Sequence, residues 1–290
     1  MMSYRTPLNP DDPIVYSGGN WIPQSEATVP FMDSGFWYGD GLFETLLVSS
    51  GKLFRPHKHL ERMRAGMAIL EIEFPVSEKE LIGLLEEMVL RNRLTESTLR
   101  LMLTRGTVPG APFKFSGPAN LYIGLRYTQP EPAFPVKVIF ANEADYPVAR
   151  RSPAIKSMTY LWNMLAIREA NRQGAFEPVF VNGEGVITEC AVRNIFFIDG
   201  DILRTPDLSL GILQGVTRDL VLELAPAQGL TIDTSPITRE AANHMDEAFI
   251  ASTGIGIYPV TWEGYGPREY PRTSAIRDAV EKQVLDELGG

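Results

Sequence analysis

The chain contains a lysine, a glutamate and, just before a predicted helix, a glycine, whose residue types and order suit one kind of chemistry. They are Lys156, Glu189 and Gly215. A lysine amine can bond an aldehyde as a Schiff base, and a carboxylate can set the charge of a pyridine nitrogen. Free N–H groups at a helix start bind phosphate. Pyridoxal phosphate needs all three groups, so the sequence predicts a site for this cofactor.

The lysine is the residue on which such chemistry would depend. Only a deprotonated amine can both bond the aldehyde and carry a proton, and Lys156 is the candidate. The alternative is a solvated surface lysine, which is the usual state of an isolated lysine. Glu189 follows a predicted strand over residues 186–188, where its carboxylate would favour a protonated ring. Its alternative is a surface glutamate at a hairpin edge, as expected for Glu184.

Phosphate binding is predicted at the helix start after residue 214. Gly215, Val216 and Thr217 open this helix, whose N–H groups and dipole attract an anion. Glycine also allows close approach of the backbone. Thr217 and Thr253 could add hydroxyl groups to the same site.

Composition and charge limit the possible partners. The chain has 290 residues, enough for about two domains, and a net charge of -9. This charge argues against nucleic acid or an anionic membrane as a partner. Cys190 is the single cysteine, so an intramolecular disulfide and a thiolate zinc site are excluded. No apolar run has the length of a signal peptide or a membrane span, and a cytoplasmic protein is expected.

Short strands and amphipathic helices alternate in the first part of the chain. Leu60, Met63 and Met67 recur at helical spacing, and Ser77 with Glu80 predicts a capped second helix. Together these elements predict an α+β domain over residues 1–127. The predicted elements are a hairpin over 16–22, strands over 42–48 and 52–55, helices over 57–70 and after 77, and strands over 99–104 and 121–126.

Three prolines in residues 128–135 predict a stiff connector to a second domain over residues 136–290. Helical and alternating apolar patterns both occur in this part of the chain. The predicted elements are a strand over 136–141, a helix over 161–173, hairpins over 179–188 and 195–204, a helix over 216–228, a strand over 247–252 and a helix from near Thr273.

Seven groups of motifs occur in one order along most of the chain. They are YGDGLFE (38–44), LFR with HLERM (53–63), TRG (104–106), IKS (155–157), TE with NIF (188–196), LQGVTRD (213–219), and STG with PV (252–260). In these motifs the chain resembles the class IV aminotransferases. This pyridoxal phosphate fold-type IV group contains branched-chain and D-amino acid aminotransferases and aminodeoxychorismate lyases. The resemblance implies a two-domain α+β fold like that of D-amino acid aminotransferase, with a small α/β domain and a larger β-rich domain with helices.

The resemblance also implies roles for individual residues. Lys156 would hold the cofactor covalently and move the proton between substrate Cα and cofactor C4′. Arg55 matches the family's phosphate arginine, although a strand-end arginine paired with a surface acid is the alternative. Tyr160 corresponds to a tyrosine that bonds the ring hydroxyl, or is an aromatic packed at a helix start. The full cofactor set is Arg55, Lys156, Tyr160, Glu189, Leu213, Gly215, Val216, Thr217, Ser252 and Thr253.

Two histidines near the first helix are not predicted to bind metal. His57 and His59 have a spacing that suits a strand, whereas the pattern is helical, and no third ligand is evident. No metal site is therefore expected. His59 and Arg62 are interpreted as structural residues of this helix.

Substrate residues are also implied by the resemblance. D-amino acid aminotransferases have an arginine and a histidine after TRG, and aminodeoxychorismate lyases have ArgGlyTyr there; residues 108–112 contain neither. Branched-chain enzymes are matched better, and Arg100 could bind a second carboxylate. Ala119 and Thr98 depart from the branched-chain pattern. The predicted substrate set is Phe36, Tyr38, Phe43, Arg100, Tyr122, Thr253, Gly254 and Ile255.

The resulting functional prediction is ping-pong transamination between an amino acid donor and a 2-oxo acid, with a branched-chain-like pocket. The first alternative is a D-amino acid or (R)-amine transaminase with non-standard carboxylate recognition. The second is an enzyme similar to aminodeoxychorismate lyase, and a non-catalytic metabolite-binding protein is a third. A homodimer or higher homo-oligomer is expected, because the resemblance implies that Tyr38 and Phe43 reach the opposite subunit.

Overall fold

The computed structural model describes residues 11–108, 118–126, 132–266 and 269–289. Its contacts divide the chain into two compact units. The first unit contains Met1–Gln129, Ile155–Thr159 and Val284–Gly290, and the second contains Pro130–Ala154 and Tyr160–Gln283. Over the described ranges, no helix combines the length and apolar character that crossing a membrane requires.

An antiparallel sheet with strand order β2-β1-β6-β5-β3-β4 forms the first unit. One face of the sheet packs on the predicted apolar stripes of α2 and α3, with Leu46, Leu60 and Leu85 fully buried. The other face carries Phe43 and Arg100. The elements are β1 (Ile14–Ser17), β2 (Asn20–Pro23), α1 (Ser34–Tyr38), β3 (Gly41–Ser49), β4 (Lys52–Leu53), α2 (Pro56–Leu70), α3 (Glu78–Arg91), β5 (Ser97–Thr104) and β6 (Asn120–Arg126).

These elements confirm the predicted hairpin, both helices and the strands. The capping box of Ser77 and Glu80 is present at the start of α3. Arg55, predicted at the end of a strand, is instead the N-cap residue of α2. Helix α1 was missed because its five residues are too few to show a helical apolar period. Asp33 caps it by accepting a hydrogen bond from Gly35 N.

The second unit contains a mixed sheet of order β12-β11-β10-β13-β14-β7-β8-β9. The helix predicted over 216–228 is α-helical only to Leu224, because Pro226 lacks the N–H group that α-helical bonding requires. The elements are β7 (Val136–Asn142), α4 (Leu161–Arg172), β8 (Glu177–Val181), β9 (Ile187–Cys190), β10 (Asn194–Asp199), β11 (Ile202–Arg204), α5 (Val216–Leu224), β12 (Thr231–Asp233), α6 (Arg239–Ala242), β13 (Glu247–Ser252), β14 (Gly256–Thr261) and α7 (Pro271–Leu288).

The observed units differ from the predicted domains in two segments. Residues 155–159 lie with the first unit because their backbone pairs with β3. The end of α7 also lies there, and Lys52 Nζ donates to Leu288 O at 2.6 Å. Residues 128–131 of the predicted connector are outside the described residues, as are residues 109–117, which include most of the segment after TRG.

Candidate active site

Lys156 is held against β3 by backbone hydrogen bonds of its own carbonyl group and of Met158, two residues later. Phe43 N donates to Lys156 O at 3.0 Å, and Met158 N donates to Gly41 O at 2.9 Å. A side chain at position 41 would collide, since an added Cβ would lie 2.7 Å from Leu103 O and from Met158 Sδ. Gly41 therefore permits the close approach that positions the lysine.

The aromatic ring of Phe43 contacts the ends of a lysine and an arginine side chain. Lys156 Nζ lies 4.6 Å from the ring centroid, and Arg100 Cζ lies 4.3 Å from it. Both distances are in the range of cation–π contacts. Within one chain, β3 places this ring beside Lys156, and its reach to the active site of an opposite subunit stays a prediction. The ring brings the predicted catalytic amine close to a predicted substrate arginine.

A buried ionic cluster lies behind this strand. Glu44 is fully buried, and Arg62 binds it through two hydrogen bonds of 2.8 and 2.6 Å. His59 Nδ1 lies 2.8 Å from Glu44 Oε2. No residue in the described part of the chain forms a hydrogen bond with His59 Nε2. The sequence pattern indicates structural roles for His59 and Arg62 but not their shared partner, because Glu44 lies on a different element.

Burial and neighbouring charges set the protonation of this cluster. Burial is the largest influence on His59 and lowers its pKa, Glu44 raises it, and Arg62 and Lys156 lower it further, so that the pKa lies below its ordinary value. His59 is therefore neutral near pH 7. For Glu44, burial raises the pKa, but Arg62 and His59 together outweigh it and lower the pKa to about 2.

Glu44→Gln is expected to lower the free energy of unfolding by about 3–5 kcal/mol at pH 7, because Arg62 loses its buried anionic partner. Because the folded pKa of Glu44 is depressed, its contribution is complete above about pH 4.5 and is lost toward about pH 2. Urea denaturation at pH 7 and pH 3 measures both effects. Glu61→Gln, at an exposed pair with Lys58, is the matched control. A loss below about 1 kcal/mol would show that the cluster is dispensable.

A pocket of about 740 Å³ opens on the face of the first-unit sheet that carries Arg100. Predicted substrate residues Phe36 and Tyr122 also line it, together with Met158. Phe36 is 65% exposed and Tyr38 is 55% exposed, so most of their surface is accessible in one chain. The pocket thus unites three of the predicted substrate residues.

Asp33 is a pocket residue that no local sequence pattern indicates. Its buried carboxylate accepts hydrogen bonds from Thr104 Oγ1 at 2.8 Å and Asn120 Nδ2 at 2.7 Å. The Tyr122 hydroxyl lies 3.4 Å from the same carboxylate. Burial, and then the charge of Asp33, raises the pKa of Tyr122 to about 12. Tyr122 is consequently a protonated phenol directed toward Asp33.

Arg55 has a left-handed backbone, with φ of 44°, at the start of α2. Its Nε lies 3.1 Å from both carboxylate oxygens of Glu287, and its Nη2 lies 2.6 Å from one of them. This contact agrees with the alternative interpretation, in which Arg55 pairs with a surface acid. Its role as a phosphate ligand stays a prediction.

In the second unit, Glu189 lies within β9 and is paired with Arg150. The same guanidinium binds Glu143 at 2.8 Å and the Thr188 hydroxyl at 3.1 Å. Arg150 therefore supplies positive charge beside Glu189 and fixes the position of its carboxylate. Nothing in the local sequence pattern indicated this arginine.

The turn after residue 212 connects Glu189 to the start of α5. Leu213 N donates to Glu189 Oε2 at 3.1 Å, and Asn194 Nδ2 donates to Leu213 O at 2.9 Å. An added Cβ at Gly215 would lie 2.2 Å from Asn194 Oδ1, so a larger residue would displace this amide. One hydrogen-bonded turn thus positions a carboxylate and a helix N-terminus.

These features fit the chemistry of pyridoxal phosphate. Helix α5 begins at Gly215, and no side chain in the described part of the chain caps it. Its first N–H groups can therefore bind a phosphate. Glu189 is an anion held by fixed donors and can bind a ring nitrogen.

The remaining predicted residues lie at strand and helix ends of the second unit. Tyr160 precedes α4, and its hydroxyl donates to Ala191 O at 2.7 Å. Val216 and Thr217 are the first residues of α5 and are buried. Ser252 ends β13, and Thr253, Gly254 and Ile255 form the half-buried turn that leads into β14. Among the described residues there is also no group of three His, Cys, Asp or Glu side chains that could hold a metal ion.

Known proteins match the chain over most of its length. Residues 41–262 match the family described as Amino-transferase class IV. The chain is 31% identical to a putative branched-chain-amino-acid aminotransferase of Methanocaldococcus jannaschii, over 85% of this chain and 86% of that protein. It is also 31% identical to a D-alanine aminotransferase of Listeria monocytogenes, over 83% of this chain and 84% of that one.

A similar solved structure is the branched-chain aminotransferase of Thermoproteus uzoniensis with norvaline. The TM-score is 0.84 at 26% identity, and the match covers 95% of both chains. This likeness confirms the predicted fold-type IV, α+β architecture. With the family match over most of the sequence, it shows that the chain belongs to the class IV aminotransferases, a family of pyridoxal phosphate enzymes.

Proposed function

We propose that the protein is a pyridoxal phosphate-dependent transaminase that moves an amino group between an amino acid and a 2-oxo acid. The observation that carries the proposal is the placement of Lys156 and Arg100 against one aromatic ring, that of Phe43. This arrangement puts an amine able to move a proton near a cation able to bind a carboxylate.

Three of the predicted cofactor groups have a stated task in this proposal. Bound pyridoxal phosphate would supply the electron sink for the electrons released at the substrate Cα. The Lys156 amine would take the proton from the substrate Cα and return it at C4′ of the cofactor. Glu189, positioned by Arg150, binds the ring nitrogen, and the N–H groups at the start of α5 bind the phosphate.

For the substrate, we propose a branched-chain-like pocket. Apolar side chains such as Val29 and Met102 line the pocket beside Arg100. They suit an aliphatic side chain, while Arg100 suits the second carboxylate of an acidic donor. A D-amino acid transaminase is the second candidate, favoured by the equal identity to the D-alanine aminotransferase.

The experiment that tests this function is a half-reaction screen with the purified, cofactor-loaded protein. L- and D-amino acids and (R)- and (S)-amines are offered singly, and the change in cofactor absorption is followed. Leucine, isoleucine or valine of one configuration is expected to react fastest. If no donor changes the spectrum, transamination is rejected. Product analysis with aminodeoxychorismate distinguishes a lyase.

We also propose that the protein is a homodimer. The first unit exposes an aromatic patch in which the ring of Phe31 contacts those of Phe36 and Trp37 at 6.2 and 5.8 Å. Exposed apolar patches of this kind typically mark association surfaces. The aromatic patch consists of Val29, Phe31, Phe36, Trp37 and Tyr38.

Phe31→Glu is expected to weaken the dimer by at least tenfold, because association would bury a charge in an apolar contact. Phe31 is 73% exposed, so a change in the folding of one chain is not expected. Light scattering over a dilution series measures the dimer. Leu90→Glu is the matched control, since Leu90 is 70% exposed on α3. An unchanged dimer in Phe31→Glu would exclude this surface.

A further inference from the structure

The pocket of the first unit extends past the predicted substrate residues to a second arginine. Arg126, at the end of β6, lines the pocket together with Arg100. In the sheet, Arg100 is opposite Gly124 and Thr98 is opposite Arg126. Arg100 and Arg126 are therefore diagonal neighbours on one face, with Cα atoms about 7–8 Å apart.

The order of side chains along the sheet gives the pocket a direction. Phe43, which contacts Lys156, is opposite Met102, and Arg100 is two residues before Met102 on β5. Residues two apart on a strand lie on the same face, about 7 Å apart. Arg126 is in the next row beyond Arg100. Moving away from Lys156, a ligand therefore meets Arg100 first and Arg126 second.

The floor between the two arginines is open. Gly124 is opposite Arg100 in the sheet, and a Cβ added to it would meet no heavy atom within 4 Å among the described residues. Val15, Val29 and Met102 provide apolar surface along the pocket. An unbranched methylene chain matches such a surface better than a polar one does.

Charge also differs between the ends of the pocket. The buried carboxylate of Asp33 lies at the Tyr122 end. The two arginines lie toward the opposite side, where Arg126 is exposed. A distal carboxylate is therefore repelled from one end and attracted to the other.

We propose that this pocket binds 2-amino and 2-oxo dicarboxylates longer than glutamate, with Arg126 as the ligand of the distal carboxylate. The proposal rests on the proposed transaminase function and identifies a substrate class for it. The methylene chain lies over Gly124, and the carboxylate at the reacting end lies toward Lys156. Arg100 binds the distal carboxylate of shorter diacids such as glutamate, and Arg126 binds that of longer ones.

The test compares diacids with monoacids of equal chain length. 2-Aminopimelate is paired with 2-aminoheptanoate, and 2-aminoadipate with 2-aminohexanoate, in both configurations and beside glutamate. The wild-type enzyme is expected to prefer 2-aminopimelate over 2-aminoheptanoate by at least tenfold in kcat/KM. Arg126→Met should reduce this ratio about fivefold or more, and added salt should also reduce it because Arg126 is exposed.

Three further variants test separately the cation at position 126, the open space over Gly124 and the net charge of the protein. Arg126→Lys should keep most of the preference, since it retains the cation. Gly124→Val should impair 2-aminopimelate more than glutamate, because the added side chain enters the open floor. Lys79→Met removes one positive charge from an exposed position on α3 and should leave the ratio unchanged.

Binding of pimelate and heptanoate, measured by calorimetry on the cofactor-loaded protein, provides a second readout that does not depend on turnover. Preferential binding of pimelate that is lost in Arg126→Met supports the proposal. Equal binding of the two acids, or an unchanged preference in Arg126→Met, overturns it. If leucine or glutamate reacts but no longer diacid is preferred, this proposal fails while the transaminase function stands. If no donor reacts at all, the transaminase function itself fails.

Discussion

Lys156→Ala is expected to abolish covalent attachment of pyridoxal phosphate and to reduce transamination by about 10³-fold or more. The amine is the only group at this position that can bond the aldehyde and move the proton from Cα. Its removal takes away a side chain that contacts Phe43, while the backbone pairing with β3 is retained. The fold should therefore persist in the variant.

Borohydride reduction followed by intact mass measurement detects the covalent attachment, and peptide mapping identifies the residue. Lys137→Ala is the matched control, because Lys137 is an exposed lysine on β7 whose Nζ lies 3.3 Å from Gln173 O. The control should keep both the added mass and full activity. A cofactor adduct that persists in Lys156→Ala, or activity above about one hundredth of the wild type, would refute the role of Lys156.

The second large effect is expected for Glu189→Gln, which should reduce kcat/KM by about 10²-fold. Glutamine preserves the size of the side chain and an oxygen that can accept from Leu213 N. It removes the negative charge that would favour a protonated ring nitrogen. Arg150 retains Glu143 as a partner, so the melting temperature should change little.

The absorption spectrum of the bound cofactor and its pH dependence give a readout that a purely structural role would not alter. Cofactor loss on dialysis measures binding in the same variant. Glu184→Gln, in the exposed turn between β8 and β9, should behave as the wild type does. A Glu189→Gln variant with normal activity and an unchanged spectrum would exclude contact between this carboxylate and the ring.

Local patterns were sufficient to predict most of the elements. Helix α2 was predicted from Leu60, Met63 and Met67, and α3 from the pair of Ser77 and Glu80. These signals are periodic or lie within a few residues of each other, so they can be found in sequence alone. Helix α1 was missed, since five residues do not establish a period.

The partners of charged residues were not predictable in the same way. Glu44 and Arg62 lie on different elements, as do Arg150 and Glu189. Which acid meets which arginine depends on strand register and on the packing of helices over the sheet. Arg126 joined the pocket for the same reason, because the pairing of β5 with β6 sets it diagonal to Arg100.

By itself, the sequence determined the fold class, the family and the order of Lys156, Glu189 and the glycine before α5. These follow from residue types, spacing and motifs along one chain. Only the tertiary structure decided that Lys156 packs with the first unit beside Phe43. It also decided that Arg150 holds Glu189 and that Asp33 receives the Tyr122 hydroxyl. The physical reason is that hydrogen bonds and ion pairs depend on distance in space, and residues far apart in sequence come together only when the sheets form.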